Sequence, residues 1–131
     1  ATGKMKKFII NGNNYNTKDG TPIRDFIHVS DLAEIHYLTG RYLLKNKKSK
    51  ILNCGYGKGY SVLEVVKNMN LILTKKIPFV FGKRRNKDIK SSISNTDKFN
   101  KIIKWKPKYN NLKYILKTSL EWEKKLNTLK I

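Results

Sequence analysis

An α/β arrangement of few short strands and about four helices, α+β if it stands alone, is the fold class this sequence predicts. Three observations carry that expectation. Short β-type apolar runs alternate with stretches whose apolar residues recur at helical spacing. Polar, glycine-containing segments separate them without any internal repeat or low-complexity linker. A length of 131 residues with 39% hydrophobic residues suits one domain, residues 1–131, around one core.

"KKFII", 6–10, reads as a short strand ending at the turn-prone run "NGNNYNTKDGT". "IRDFIHV", 23–29, alternates Ile23, Ile27 and Val29 with a second face and stops at Ser30 and Asp31. Asp31 with Glu34 forms a capping-box pattern, and Leu32, Ile35, Leu38 and Leu43 carry a helix to about Lys45. "KILNC", 50–54, reads as a buried strand leading into the turn "GYGKGYS". Ser61 and Glu64 then cap a helix through Val62, Val65, Val66 and Met69. "KIPFVF", 76–81, is a further strand and "SSIS" a weaker one, before helices over about 96–104 and 111–127, split at Pro107. So few strands suggest part of a larger unit, with faces left uncovered and a tendency to self-association.

The formal net charge of +20 points first to nucleic acid. Against this, the charge is spread along the whole chain, and the 14 asparagines and 14 isoleucines share A/T-rich codons with lysine. Nonspecific adhesion to polyanions is expected in either case. A lone Cys54 and no run of roughly 20 apolar residues suggest a soluble, cytoplasmic protein without a membrane partner.

His28, His36 and Cys54 lack the spacing of a zinc motif, so no metal is expected. Gly55, Gly57 and Gly59 give G-x-G-x-G, which is neither a dinucleotide fingerprint nor a Walker loop. The four arginines are more informative, because only guanidinium offers a rigid fork for phosphate oxygens. Arg24 lies on a strand beside Asp25, and Arg84 and Arg85 follow another strand within a few residues of Asp88. Two forks and a carboxylate can clamp a diphosphate and a ribose, or they can form surface ion pairs of about 1 kcal/mol at most. Spacing alone leaves both open.

"DGTPIRDFIHVSDLAEIH", "ILNCGYGKGYSVLEVV" and "RRNKD" occur in this order. From about residue 8 to the final helix the chain resembles the carboxy-terminal part of UDP-glucose 4-epimerases, of the extended short-chain dehydrogenase/reductase superfamily. The resemblance implies a substrate-binding part, with Arg24 and Arg85 on the UDP diphosphate and Asp88 on the uridine ribose. It places Ile9 and Asn11 at the uracil and Val62 against the nucleoside. Phe26 stands where a tyrosine is common, and Ser92 at a position that sets room near the sugar.

The family joins this part to an NAD-binding Rossmann half with a glycine fingerprint and a Tyr-x-x-x-Lys pair. Tyr42 is followed four positions on by Asn46, and Tyr56 by Tyr60, so no catalytic residue is assigned. The expectation is therefore a UDP-sugar-binding portion, inactive alone and binding no cofactor itself. It would depend for NAD and chemistry on a missing Rossmann half in cis or in trans. A small basic nucleic-acid-binding module and a fragment of another nucleotide-sugar epimerase or dehydratase are the alternatives.

Overall fold

Apolar runs of four or five residues cannot build a wide sheet, and the strands pair in two small ones. In the computed structural model, which describes residues 1–129, β1 (Phe8–Asn11) lies parallel to β4 (Phe79–Gly82), with Phe8 opposite Phe79 and Asn11 opposite Gly82. β2 (Ile23–Asp25) is the centre of the second sheet, antiparallel to β3 (Gly59–Ser61) and parallel to β5 (Ser91–Ser92). The helices are α1 (Val29–Asn46), α2 (Val62–Ile72), α3 (Asp97–Ile102) and α4 (Leu112–Thr128).

Burial follows the helical period. Ile35 of α1 meets Phe99 and Ile103 in the main core, with Ile27, Leu38, Leu52 and Trp105 packed around them. In α4, Leu112, Ile115, Leu116 and Leu120 form the buried stripe, and α2 packs against this helix. The β1–β4 sheet is thinly covered, with Phe8, Ile9, Val80 and Phe81 all exposed.

The capping box expected at Ser61 is present: Ser61 Oγ accepts from Glu64 N at 3.0 Å, and Glu64 Oε2 accepts from Ser61 N at 3.4 Å. The one expected at Asp31 is not. His28 caps α1, its Nδ1 accepting from Ser30 N at 3.1 Å, which leaves that ring nitrogen bare and makes Nε2 the donor toward Thr118 Oγ1 at 3.0 Å. Asp31 is instead fully buried and bonds to other segments.

Two strand expectations change as well. β2 ends at Asp25, because residues beyond it turn into the α1 cap. Residues 50–54 enter no ladder; Leu52 and Cys54 pack on the core as expected, but the Cys54 carbonyl accepts from a side chain, Ser94 Oγ at 3.0 Å. The strand there is β3, inside the stretch read as a turn.

Candidate functional site

The arginine corner forms where the ends of the two sheets meet. Arg24 sits mid-strand on β2, opposite Tyr60 of β3 and Ser92 of β5, so these three side chains share one face. Its Nη1 donates to the carbonyls of Ile23 at 2.7 Å and Ile89 at 3.2 Å, and its Nη2 donates to Asp88 Oδ1 at 2.5 Å. A guanidinium has five N–H donors. The Nε–H and one Nη2–H therefore stay available to a ligand.

Asp88 takes a second donor, the Tyr15 hydroxyl, on Oδ2 at 3.0 Å. Burial, and then the Asp88 carboxylate, push the Tyr15 phenol above its ordinary value, so it remains a donor at neutral pH. Arg84 lies over the Tyr15 ring, 4.1 Å from Cζ to the centroid, and its Nη2 donates to the Asp88 carbonyl at 2.9 Å. The turn between them closes through Asp88 N to the Arg85 carbonyl at 3.3 Å, with Lys87 left-handed at φ 58°. Arg85 reaches the other sheet: with the Asn11 amide oriented so that its oxygen meets the two facing guanidinium donors, that oxygen accepts from Nε at 3.1 Å and Nη2 at 3.2 Å.

Of the residues singled out from sequence, Arg24, Arg85, Asp88, Asn11 and Ser92 come together at this corner. Ile9 is exposed on β1, two positions before Asn11. Val62 opens α2, its N–H donating to the Pro22 carbonyl at 3.1 Å, and Phe26 is half-buried just beyond β2, both off the corner. Arg24 pairs with Asp88 and not with its neighbour Asp25. The Asp25 carboxylate is committed to the glycine loop, accepting from Tyr56 N at 3.2 Å, Gly57 N at 3.0 Å and Ser94 N at 3.3 Å.

Sequence reasoning passed over Tyr15 and gave Arg84 no role apart from Arg85. The available signal was one aromatic residue inside an otherwise polar turn, with a glycine three positions before it. It also passed over Tyr109 and Lys113, which do have Tyr-x-x-x-Lys spacing. Tyr109 precedes the extended α4 cap Asn111, stacks on Tyr114 at 5.4 Å and meets the tilted His28 ring at 4.6 Å, while Lys113 lies in the first turn of the helix. A cleft of about 820 Å³ along α4, lined by His28, Tyr109, Tyr114 and Trp122, includes none of the residues that the resemblance places at the nucleotide. Among the described residues no cluster of three His, Cys, Asp or Glu is placed to hold a metal, and no helix is long and apolar enough to cross a membrane.

Residues 2–55 match the NAD dependent epimerase/dehydratase family. A UDP-glucose 4-epimerase of Azospirillum brasilense is 39% identical over 124 residues, which is 95% of this chain and 36% of that protein. The UDP-Glc/GlcNAc 4-epimerase of Campylobacter jejuni superimposes with a TM-score of 0.84 at 41% identity, over 94% of this chain and 37% of its own. UDP-glucose-4-epimerase from Stenotrophomonas maltophila, solved with bound NAD and formylated UDP-arabinopyranose, gives a TM-score of 0.89 at 31% identity, over 97% and 38%. The chain thus spans little more than a third of these relatives' length.

The family match corrects how the chain was divided. A carboxy-terminal, UDP-sugar-binding module standing apart from an absent Rossmann half was expected. Residues 2–55 instead fall within the region shared by the NAD-dependent family. The chain is therefore similar to an α/β piece of the epimerases, one of them solved with NAD bound, and no separate Rossmann partner is invoked. The G-x-G-x-G loop itself does not fit the pyrophosphate of that cofactor. The Asp25 carboxylate occupies the Tyr56 and Gly57 amides, and a Cβ at Gly55 or Gly59 would run into Asp25 and Ser94 or into Ile23 and Ile93.

Proposed function

We propose that this chain is part of a UDP-glucose 4-epimerase-like protein, and that its arginine corner receives the diphosphate and ribose of a uridine nucleotide. One observation carries the reading: two guanidinium groups, from β2 and from the turn after β4, are held at opposite ends of one Arg85–Asp88 turn, and Arg24 keeps two donors spare. Planar forks fixed in this way suit the paired oxygens of a pyrophosphate, which a lysine point charge orients poorly. Asp88 supplies the acceptor for ribose hydroxyls, Asn11 the amide edge and Ile9 the apolar surface for a pyrimidine. From outside the corner itself, the resemblance sets Val62 against the nucleoside and Phe26 toward the phosphates, while Ser92, opposite Arg24, leaves space on the sugar side.

In the whole protein, NAD supplies reversible hydride transfer at the sugar. The corner's part is to bind and orient the nucleotide end. Isothermal titration of the chain with UDP, UDP-glucose and NAD tests this, comparing wild type with Arg85→Ala. The expected result is UDP binding weakened at least tenfold by the substitution. Equal UDP affinity in both proteins, or heat from NAD alone, overturns it.

A further inference from the structure

Two adjacent arginines in the corner do different things. Arg85 faces Asn11 and is exposed, whereas Arg84 is spent on the protein itself, over the Tyr15 ring and on the Asp88 carbonyl. Tyr15 touches both ends of this turn, Arg84 through its ring and Asp88 through its hydroxyl. It is 3% exposed although it sits in a polar loop, its hydroxyl holds Asp88, and Asp88 in turn holds Arg24. The loop is shaped around the ring: Gly12 has φ +90°, and a Cβ there would stand 2.6 Å from Tyr15 Cε2 and 3.2 Å from Arg84 Cβ. Gly12 N donates to the Gly82 carbonyl at 3.0 Å, and Tyr15 N to the Gly20 carbonyl at 3.0 Å, so the loop is pinned on both sides.

We propose that Tyr15 is the positioning residue of the nucleotide site, a role that rests on the function proposed above. Its hydroxyl fixes the Asp88 carboxylate, and its face carries Arg84, so that the 84–88 turn presents Arg85 and Arg24 at a set separation. Tyr15 does not touch the ligand; it acts through Asp88 and Arg84. Without the hydroxyl, one Asp88 oxygen loses its donor, and the carboxylate swings freely about its single remaining bond to Arg24.

A double-mutant cycle on UDP affinity, measured by titration calorimetry on the full chain, tests the assignment. Tyr15→Phe keeps the ring under Arg84 and removes only the hydroxyl, and is expected to weaken UDP binding at least tenfold, the scale of one hydrogen bond to a charged group. In an Asp88→Asn background the same change is expected to have little further effect, because the hydroxyl acts through that carboxylate. Loss of fold alone would instead lower affinity equally in both backgrounds, which overturns the role. Tyr15→Phe binding as tightly as wild type overturns it too, and leaves the nucleotide site standing provided Arg85→Ala still weakens UDP. Absence of UDP binding by the wild-type chain, or equal binding by Arg85→Ala, removes the site and Tyr15's role with it. Should Asp88→Asn bind too weakly to measure, Arg84→Ala serves as the second arm. Removing the guanidinium from the same turn is expected to weaken UDP, and unchanged affinity overturns the role.

Discussion

Asp31 is the most buried carboxylate described, and replacing it tests how three segments are tied together. Its oxygens accept from the Tyr56 hydroxyl at 2.5 Å, from Lys108 N at 3.2 Å and from Tyr109 N at 3.0 Å, joining α1, the glycine loop and the approach to α4. Among the described residues no lysine or arginine pairs with it. Burial, and then this bond to Asp31, push the Tyr56 phenol far up, so it stays a donor across the working range. Asp31→Ala strands one hydroxyl and two backbone amides. At about 1.5–3 kcal/mol per bond to a charged acceptor, reduced because the three are coupled, the expected loss is about 3–5 kcal/mol. That is a large part of the ~5–15 kcal/mol that holds a domain folded. Asp31→Asn keeps one oxygen for the amides and lets the Tyr56 hydroxyl reverse, so about 1–2 kcal/mol is expected. Urea unfolding followed by far-ultraviolet circular dichroism measures both. An alanine variant within about 1 kcal/mol of wild type, at unchanged slope, refutes the reasoning.

Gly12→Ala is expected to lower stability by about 1–3 kcal/mol, since its backbone is left-handed and the new methyl meets the Tyr15 ring; the melting temperature reports it. Phe99→Ala empties the centre of the main core, where Phe99 is 1% exposed and meets Trp105 edge-on, and is expected to cost about 3–5 kcal/mol in the same urea assay. The Asp19 carboxyl is raised by burial but lowered more by bonds from Ser61 and Thr21, so it lies below the ordinary aspartate value. Its contribution is therefore complete above that value and is lost as pH falls through the lower folded one. The stability difference between wild type and Asp19→Asn should hold steady from neutral pH down to the ordinary carboxylate range and shrink below it, and a difference that ignores pH contradicts this assignment. Burial pushes the Cys54 thiol up, so its reaction with a disulfide reagent at neutral pH should be slower than that of a free cysteine.

Where one physical signal dominated, the sequence was readable. The Ser61–Glu64 box, the last helix over about 111–127 and the break at Pro107 are local features, and each appears where the pattern puts it. Asp31 misled because a capping pattern is also what a buried hydrogen-bond acceptor looks like, and only tertiary contacts tell the two apart. Residues 50–54 misled because an apolar run states burial but not whether a ladder partner exists. The arginine corner was half legible. Arg24, Arg85 and Asp88 stand out by residue type in a lysine-rich chain, but Tyr15 is linked to Asp88 across 73 positions, and no local pattern encodes that contact.

β1 and β4 pair in parallel, and Phe79, the partner of Phe8, is made about 70 residues after it. At roughly 5–20 residues per second, a ribosome delivers the second strand about 4–14 s behind the first. During that interval the phenylalanine and isoleucines of the early strand have no ladder to join, so a nascent chain offers them to any neighbour or chaperone. The arginine corner consequently cannot close until that strand and the turn after it are made, and a ribosome stalled before Phe79 leaves a product with Arg24 in place and nothing to set it.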